Sequence, residues 1–191
     1  MTDVPTEAVA IGASAGAVQA LTQILPALPE DYALAVMIVV HVPSDRSNML
    51  VPHFQAKCRI QVREAEDKEP ICRGCIYFAP PDYHLLVEAD RTFSLSVDEP
   101  VHHSRPSIDV LFESAADAFG AALNGVVLTG ANQDGAAGLK AIVDAGGQAL
   151  VENPDDAFAP AMPRAALEAC DRARSMSLEA IASYLVNLGR A

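Results

Sequence analysis

The sequence predicts an α/β fold: a doubly wound, mostly parallel open sheet with helices on both faces and a small antiparallel hairpin or meander. Two observations carry this prediction. Short apolar runs alternate with segments of helical period along most of the chain. The alternation breaks once, near residues 76–97, where short strand-like segments follow one another with only turn residues between them.

Taken in order, residues 8–11 read as a short buried strand, followed by a helix to about residue 25 that Pro26 and Pro29 stop. Residues 33–40 are apolar and rich in β-branched side chains, as a strand covered on both faces should be. A helix near residues 47–57 and a strand near 60–63 come next. Residues 76–78, 84–88 and 92–97 then read as an antiparallel meander, separated by Pro80-Pro81-Asp82 and Ala89-Asp90-Arg91. Ile108, Leu111, Phe112, Ala115 and Phe119 recur at helical spacing and define a helix over about 107–120. A strand at 125–129, a helix at 135–144 that Gly146-Gly147 ends, and a strand at 148–151 follow. Helices at 163–170 and 178–188 close the chain.

At 191 residues, with 51% hydrophobic and 20% charged residues, the chain reads as one domain with a substantial core and not as a disordered segment. The longest purely apolar stretch, residues 33–40, is too short to cross a bilayer, and residues 1–7 lack the basic start of a secretion signal. The expectation is a cytoplasmic protein without membrane insertion. A net charge of −12 opposes non-specific nucleic-acid binding, which needs a basic face. Cys72 and Cys75 form a close pair, but Cys58 and Cys170 are isolated and the pair precedes a strand, not a helix. Reduced thiols at a turn fit better than a zinc or redox site. No metal or cofactor is expected.

In open parallel sheets the functional site lies beyond the carboxyl ends of the strands. Three polar features fall there. Ser14, in Gly12-Ala13-Ser14-Ala15-Gly16, sits on a glycine-rich turn between strand and helix, a pose that presents a serine hydroxyl above the sheet. His41 ends the second strand, and Asp134 lies in the loop Thr129-Gly130-Ala131-Asn132-Gln133-Asp134. A serine hydroxyl needs an imidazole to take its proton and a carboxylate to orient that imidazole, so the three compose a triad. Each also has a plainer role. Ser14 and Asp134 are good helix caps, His41 suits a hydrogen-bonded strand end, and the first loop suits an anion. His53, His84, His102 and His103 are weaker candidates for the chemistry.

The ordered motifs Ala10-Ile11-Gly12-Ala13-Ser14-Ala15-Gly16, Val39-Val40-His41-Val42-Pro43, Tyr77-Phe78-Ala79-Pro80, His84-Leu85, Arg105-Pro106-Ser107-Ile108-Asp109-Val110-Leu111-Phe112 and Leu128-Thr129-Gly130 to Asp134-Gly135-Ala136-Ala137-Gly138 extend the pattern. Through them nearly the whole chain resembles the catalytic domain of the bacterial chemotaxis protein-glutamate methylesterases.

The resemblance implies hydrolysis of glutamyl methyl esters on the cytoplasmic domain of a methylated chemoreceptor, with deamidation of receptor glutamines as a second activity. It places Ser14 at the nucleophile, His41 at the base and Asp134 at the acid. Backbone N–H groups of Ala15, Gly130 and Ala131 are oxyanion candidates, and Arg46 and Arg105 are candidate contacts for receptor carboxylates. The family favours a hydroxyl residue and a second glycine after the nucleophile, where this chain has Ala15, Gly16 and Ala17. It favours methionine, glycine and asparagine before the acid, where this chain has Ala131, Asn132 and Gln133. Typical members begin with a phosphorylatable receiver domain. The expectation here is a single catalytic domain over residues 1–191, with any regulator a separate protein. Two alternatives stay open: a serine esterase acting on another protein or a small ester, and a non-catalytic binding module of the same fold.

Overall fold

In a computed structural model, residues 7–41 and 49–190 are described. Nine strands and six α-helices follow one another among them: β1 (Ala8–Ala13), α1 (Ala17–Ile24), β2 (Ala35–Val40), α2 (Leu50–Gln55), β3 (Gln61–Glu64), β4 (Cys75–Phe78), β5 (His84–Val87), β6 (Phe93–Ser96), α3 (Ile108–Phe119), β7 (Leu123–Val127), α4 (Ala136–Asp144), β8 (Gln148–Glu152), α5 (Ala161–Ala169), β9 (Arg174–Met176) and α6 (Leu178–Leu188). Seven strands form one sheet in the order β3-β4-β2-β1-β7-β8-β9, and every pairing in it is parallel. Strands β5 and β6 form a separate antiparallel pair. This is the doubly wound sheet and small hairpin that the sequence predicts.

Side-chain alternation along the strands divides the core into two layers. On one face Val9, Ile11, Val36, Ile38 and Ile76 pack with Leu21 and Ile24 of α1, Phe54 of α2 and Ile181 and Leu185 of α6. On the other, Ala8, Ala10, Met37, Val39 and Tyr77 pack with α3, α4, α5 and the hairpin residues Leu85, Val87 and Phe93. Burial on both faces is why β1 and β2 carry no polar side chain at any position.

The structure differs from the expected elements in four places. Residues 76–78 are not part of a meander: β4 runs parallel between β2 and β3, with all four residues buried. Its Ile76 and Phe78 serve one core layer and its Cys75 and Tyr77 the other, so it needs cover on both faces. The edge strand β9 was not anticipated, because its three residues are short of apolar character and mostly exposed. The strand expected at 125–129 is β7, shifted to Leu123–Val127, which leaves Thr129 in the loop beyond it. The helix expected from residue 47 is the shorter α2; residues 47 and 48 lie outside the described residues.

The chain reverses its winding at β1. From β1 it moves to β2 on one side, and it later returns to β7 on the other. The crevice above the carboxyl ends of β1, β2 and β7 is therefore the topological switch point, where ligands of such sheets bind.

Candidate active site

Register brings the three strand ends together. Ala13 pairs with Val40, and the His41 N–H donates to the Ala13 carbonyl at 3.2 Å, so Ser14 and His41 leave neighbouring strands at one level. On the other side Gly12 pairs with Val127, and the Ser14 N–H donates to the Thr129 carbonyl at 2.9 Å. The Ser14 loop is thus held between β2 and the loop after β7.

Ser14 does not cap α1 with its side chain. Gly16 is the N-cap residue, in the left-handed region at φ 86°, and it is the Ser14 carbonyl that accepts the Ala17 N–H at 2.9 Å. A Cβ at Gly16 would also meet Phe158 at 2.8 Å, so both backbone and space ask for glycine there. The Ser14 hydroxyl has no hydrogen-bond partner among the described residues and is half-buried. Thr129 fixes the next residue: its hydroxyl donates to the Ala15 carbonyl and accepts the Ala159 N–H, both at 2.8 Å. Its own N–H donates to Glu152 Oε2 at 2.7 Å. Burial, with Asp156 adding a smaller effect, pushes the Glu152 carboxyl above its usual range despite that bond.

Asp134 is fully buried and satisfied by four donors. Oδ2 receives the His41 ring at 2.8 Å and the Ile108 N–H at 2.7 Å; Oδ1 receives the Ser107 hydroxyl at 2.8 Å and the Asp109 N–H at 2.9 Å. Two of these donors are free N–H groups of the first turn of α3, so Asp134 caps that helix from a remote loop. Asp134 does not cap α4, the helix that follows it, but caps α3 instead. Burial opposes its charge, but the bonds from His41, the two backbone amides and Ser107 outweigh it and hold the carboxyl below the usual range.

The closeness of α3 to the sheet makes this possible. A Cβ at Gly12 would stand 2.3 Å from Ile108 Cγ2, and one at Gly135, where φ is 93°, would stand 2.7 Å from the same atom. The missing side chains leave the notch into which Ile108, the first residue of α3, inserts.

With Nε2 given to Asp134, Nδ1 is the ring nitrogen left to act as base. It faces Ser104 Oγ at 3.5 Å. No hydrogen bond joins it to Ser14, which is the arrangement the binding-module alternative expects.

The oxyanion candidates separate. The Gly130 N–H is spent on the Ala159 carbonyl at 3.0 Å, so Gly130 is not a free donor. The N–H groups of Ala15 and Ala131 have no partner among the described residues. Arg105 places Nη1 on the carbonyls of Val97 and Asp98, at 2.8 and 3.1 Å, bracing the exit of the hairpin. Arg46 lies outside the described residues.

Several members of this environment lie in motifs that the sequence shows, but sequence reasoning assigns no role at the site to Ser107 or Asp109, and His84 is only a weaker candidate there. Ser107, Asp109 and His84 act through partners far away along the chain. Folding also brings ligand atoms of His102, Asp109 and Asp134 within 4.8 Å of one another, a proximity that their spacing did not suggest. Both Asp134 oxygens there are already occupied by protein donors. The four cysteines are unpaired, with Cys72 exposed and Cys75 buried.

The family profile described as CheB methylesterase matches residues 9–185. The chain belongs to the CheB methylesterase family. A curated relative from Leptospira interrogans, named putative protein-glutamate methylesterase/protein-glutamine glutaminase, is 47% identical over 182 residues, covering 95% of this chain and 94% of that one. A protein-glutamate methylesterase/protein-glutamine glutaminase from Symbiobacterium thermophilum is 38% identical over 164 residues, covering 86% of this chain but only 45% of its own length. The crystal structure of the Thermotoga maritima CheB methylesterase catalytic domain superposes with a TM-score of 0.90 at 28% identity, covering 97% of this chain and all of that one. The match extends across both layers and the hairpin, so this CheB-type chain has the fold of a catalytic domain.

Proposed function

We propose that the chain hydrolyses glutamate methyl esters on a protein and deamidates protein glutamines, with Ser14 as nucleophile, His41 as base and Asp134 as the carboxylate behind it. The observation that carries this reading is the His41–Asp134 pair at 2.8 Å, its carboxylate fully buried, one strand away from a serine whose hydroxyl is uncommitted, in a chain of the CheB family. The names of the relatives supply the substrate class.

The chemistry then follows. Ser14 Oγ attacks the ester carbonyl as His41 Nδ1 takes its proton, and Asp134 stabilises the imidazolium from Nε2. The tetrahedral oxyanion is received by the N–H groups of Ala15 and Ala131, worth about 3 kcal/mol per donor in comparable sites. The C–O bond breaks and methanol leaves with the proton from His41. Water, deprotonated by the same nitrogen, cleaves the acyl-enzyme and releases a glutamate and Ser14. With glutamine the leaving group is ammonia, and the acyl-enzyme is the same. Catalytic hydrogen bonds are often long in free enzymes and tighten with substrate. Formation of the Ser14–His41 bond, with Nδ1 leaving Ser104, is therefore the step that substrate binding completes.

The proposed substrate is the methylated cytoplasmic domain of a chemoreceptor, with Arg46 and Arg105 offered to its carboxylates. Among the described residues no helix is long and apolar enough to cross a membrane. The missing Ser14–His41 bond favours one second reading, a binding module without turnover. Incubation with a methylated receptor fragment decides between them: the account expects methanol from esters and ammonia from glutamines. Turnover of an aryl ester alone would move the substrate elsewhere, and binding without product would support the module.

A further inference from the structure

Among the described residues, one buried histidine is not used by the chemistry above. His84, the first residue of β5, is 2% exposed, and both of its ring nitrogens are engaged. Nδ1 accepts the Ser107 N–H at 3.1 Å, and Nε2 lies 3.1 Å from the Glu99 carbonyl oxygen. An amide N–H only donates and a carbonyl only accepts, so the ring carries its proton on Nε2 and leaves Nδ1 as acceptor.

Ser107 is the residue just before α3, and it is fully buried. Its N–H points away from the helix it precedes, so it depends on His84 for a partner. Its hydroxyl donates to Asp134 Oδ1 at 2.8 Å and makes no bond to α3 itself. His84, Ser107, Asp134 and His41 therefore stand in series, each joined to the next by a buried or largely buried hydrogen bond. The hairpin that carries His84 is fastened to α3 a second time, through the Val87 N–H to Ser114 Oγ at 3.1 Å.

We infer that His84 is a positioning residue for the active-site carboxylate: by holding the Ser107 backbone it aims the Ser107 hydroxyl and the first turn of α3 at Asp134, and so orients His41. This rests on the proposed role of the His41–Asp134 pair. It gives the antiparallel hairpin a task in the reaction, that of a brace behind the acid.

Three variants separate positioning from simple packing. His84→Leu fills the space and removes both bonds. His84→Asn puts an amide oxygen close to the Nδ1 position and keeps an acceptor for Ser107. His84→Gln places its oxygen nearer the Nε2 position and does not. Steady-state hydrolysis of a methylated receptor fragment should show kcat lowered on the order of 10–100-fold in the leucine and glutamine variants. KM should be little changed, and the asparagine variant should recover most of the loss. Imidazole NMR gives a readout independent of turnover: the His41 Nε2–H resonance should move in the leucine and glutamine variants and return toward the wild-type position with asparagine. If the leucine variant does not fold, the asparagine–glutamine contrast decides. Folded leucine or glutamine variants with wild-type kcat and an unmoved His41 resonance would overturn the inference. A wild-type chain without Ser14-dependent hydrolysis would overturn the proposed function instead, and the resonance alone would still decide the role of His84.

Discussion

At the scale of single residues, the site sets two carboxylates close together in unlike surroundings. Asp134 is charged and saturated with donors, whereas Asp109 is held above the usual range chiefly by burial. The Gly138 N–H only partly offsets that burial, and the nearby charge of Asp134 adds to it. A carboxyl whose folded pKa is raised contributes stability below its unfolded pKa and loses it as pH rises through the folded value. Ionised Asp109 therefore weakens the fold at neutral pH. Asp109→Asn keeps an oxygen for the Gly138 N–H, at 2.7 Å in the wild type, and removes the charge. Urea titrations should find the variant more stable than wild type at pH 7, with the difference gone below about pH 4, where both states are protonated. A gain that persists unchanged in acid would contradict this. The residues of the proposed triad stood out because strand ends and glycine-rich turns mark their positions. The parts that Asp109, Ser107 and His84 play did not, since nothing local indicates that a buried amide or carboxylate from a remote loop will meet them.

At the scale of elements, the proposed catalysis depends on how closely the start of α3 approaches β1. Ile108 occupies the notch between Gly12 and Gly135, and its N–H is one of the four donors on Asp134. Gly12→Ala would force Ile108 away from the strand and carry the first turn of α3 with it. Overpacking of this kind costs about 1–3 kcal/mol. The Gly12→Ala variant should melt lower than wild type and lose kcat beyond its loss of folded fraction. Thermal melts combined with kinetics well below the melting point check both. The helices and central strands were readable because their periods and β-branched runs are local signals. β4 was misassigned because Pro80-Pro81-Asp82 after it resembles a hairpin turn, while parallel pairing with β2 and β3 is set by distant residues. β9 is three residues long and carries no pattern to read.

Across the whole molecule, the sheet separates two apolar layers that share strands but not helices. Leu21 of α1 and Leu139 of α4 are each fully buried on opposite faces. Leu21→Ala and Leu139→Ala should each cost about 2–5 kcal/mol. Their costs should add in the double variant to within about 0.5 kcal/mol by denaturant titration, and marked non-additivity would argue against independent layers. This construction leaves the switch point above β1, β2 and β7 free to hold polar groups, and it is there that the proposed chemistry resides. The central claim is that Ser14 forms the acyl-enzyme. Methanol release from a methylated receptor fragment by Ser14→Ala, at equal folded concentration, tests it most directly. Loss of a catalytic serine of this kind costs on the order of a millionfold in kcat, so release should fall to background while the melting curve stays that of wild type. Release at the wild-type rate would contradict the account.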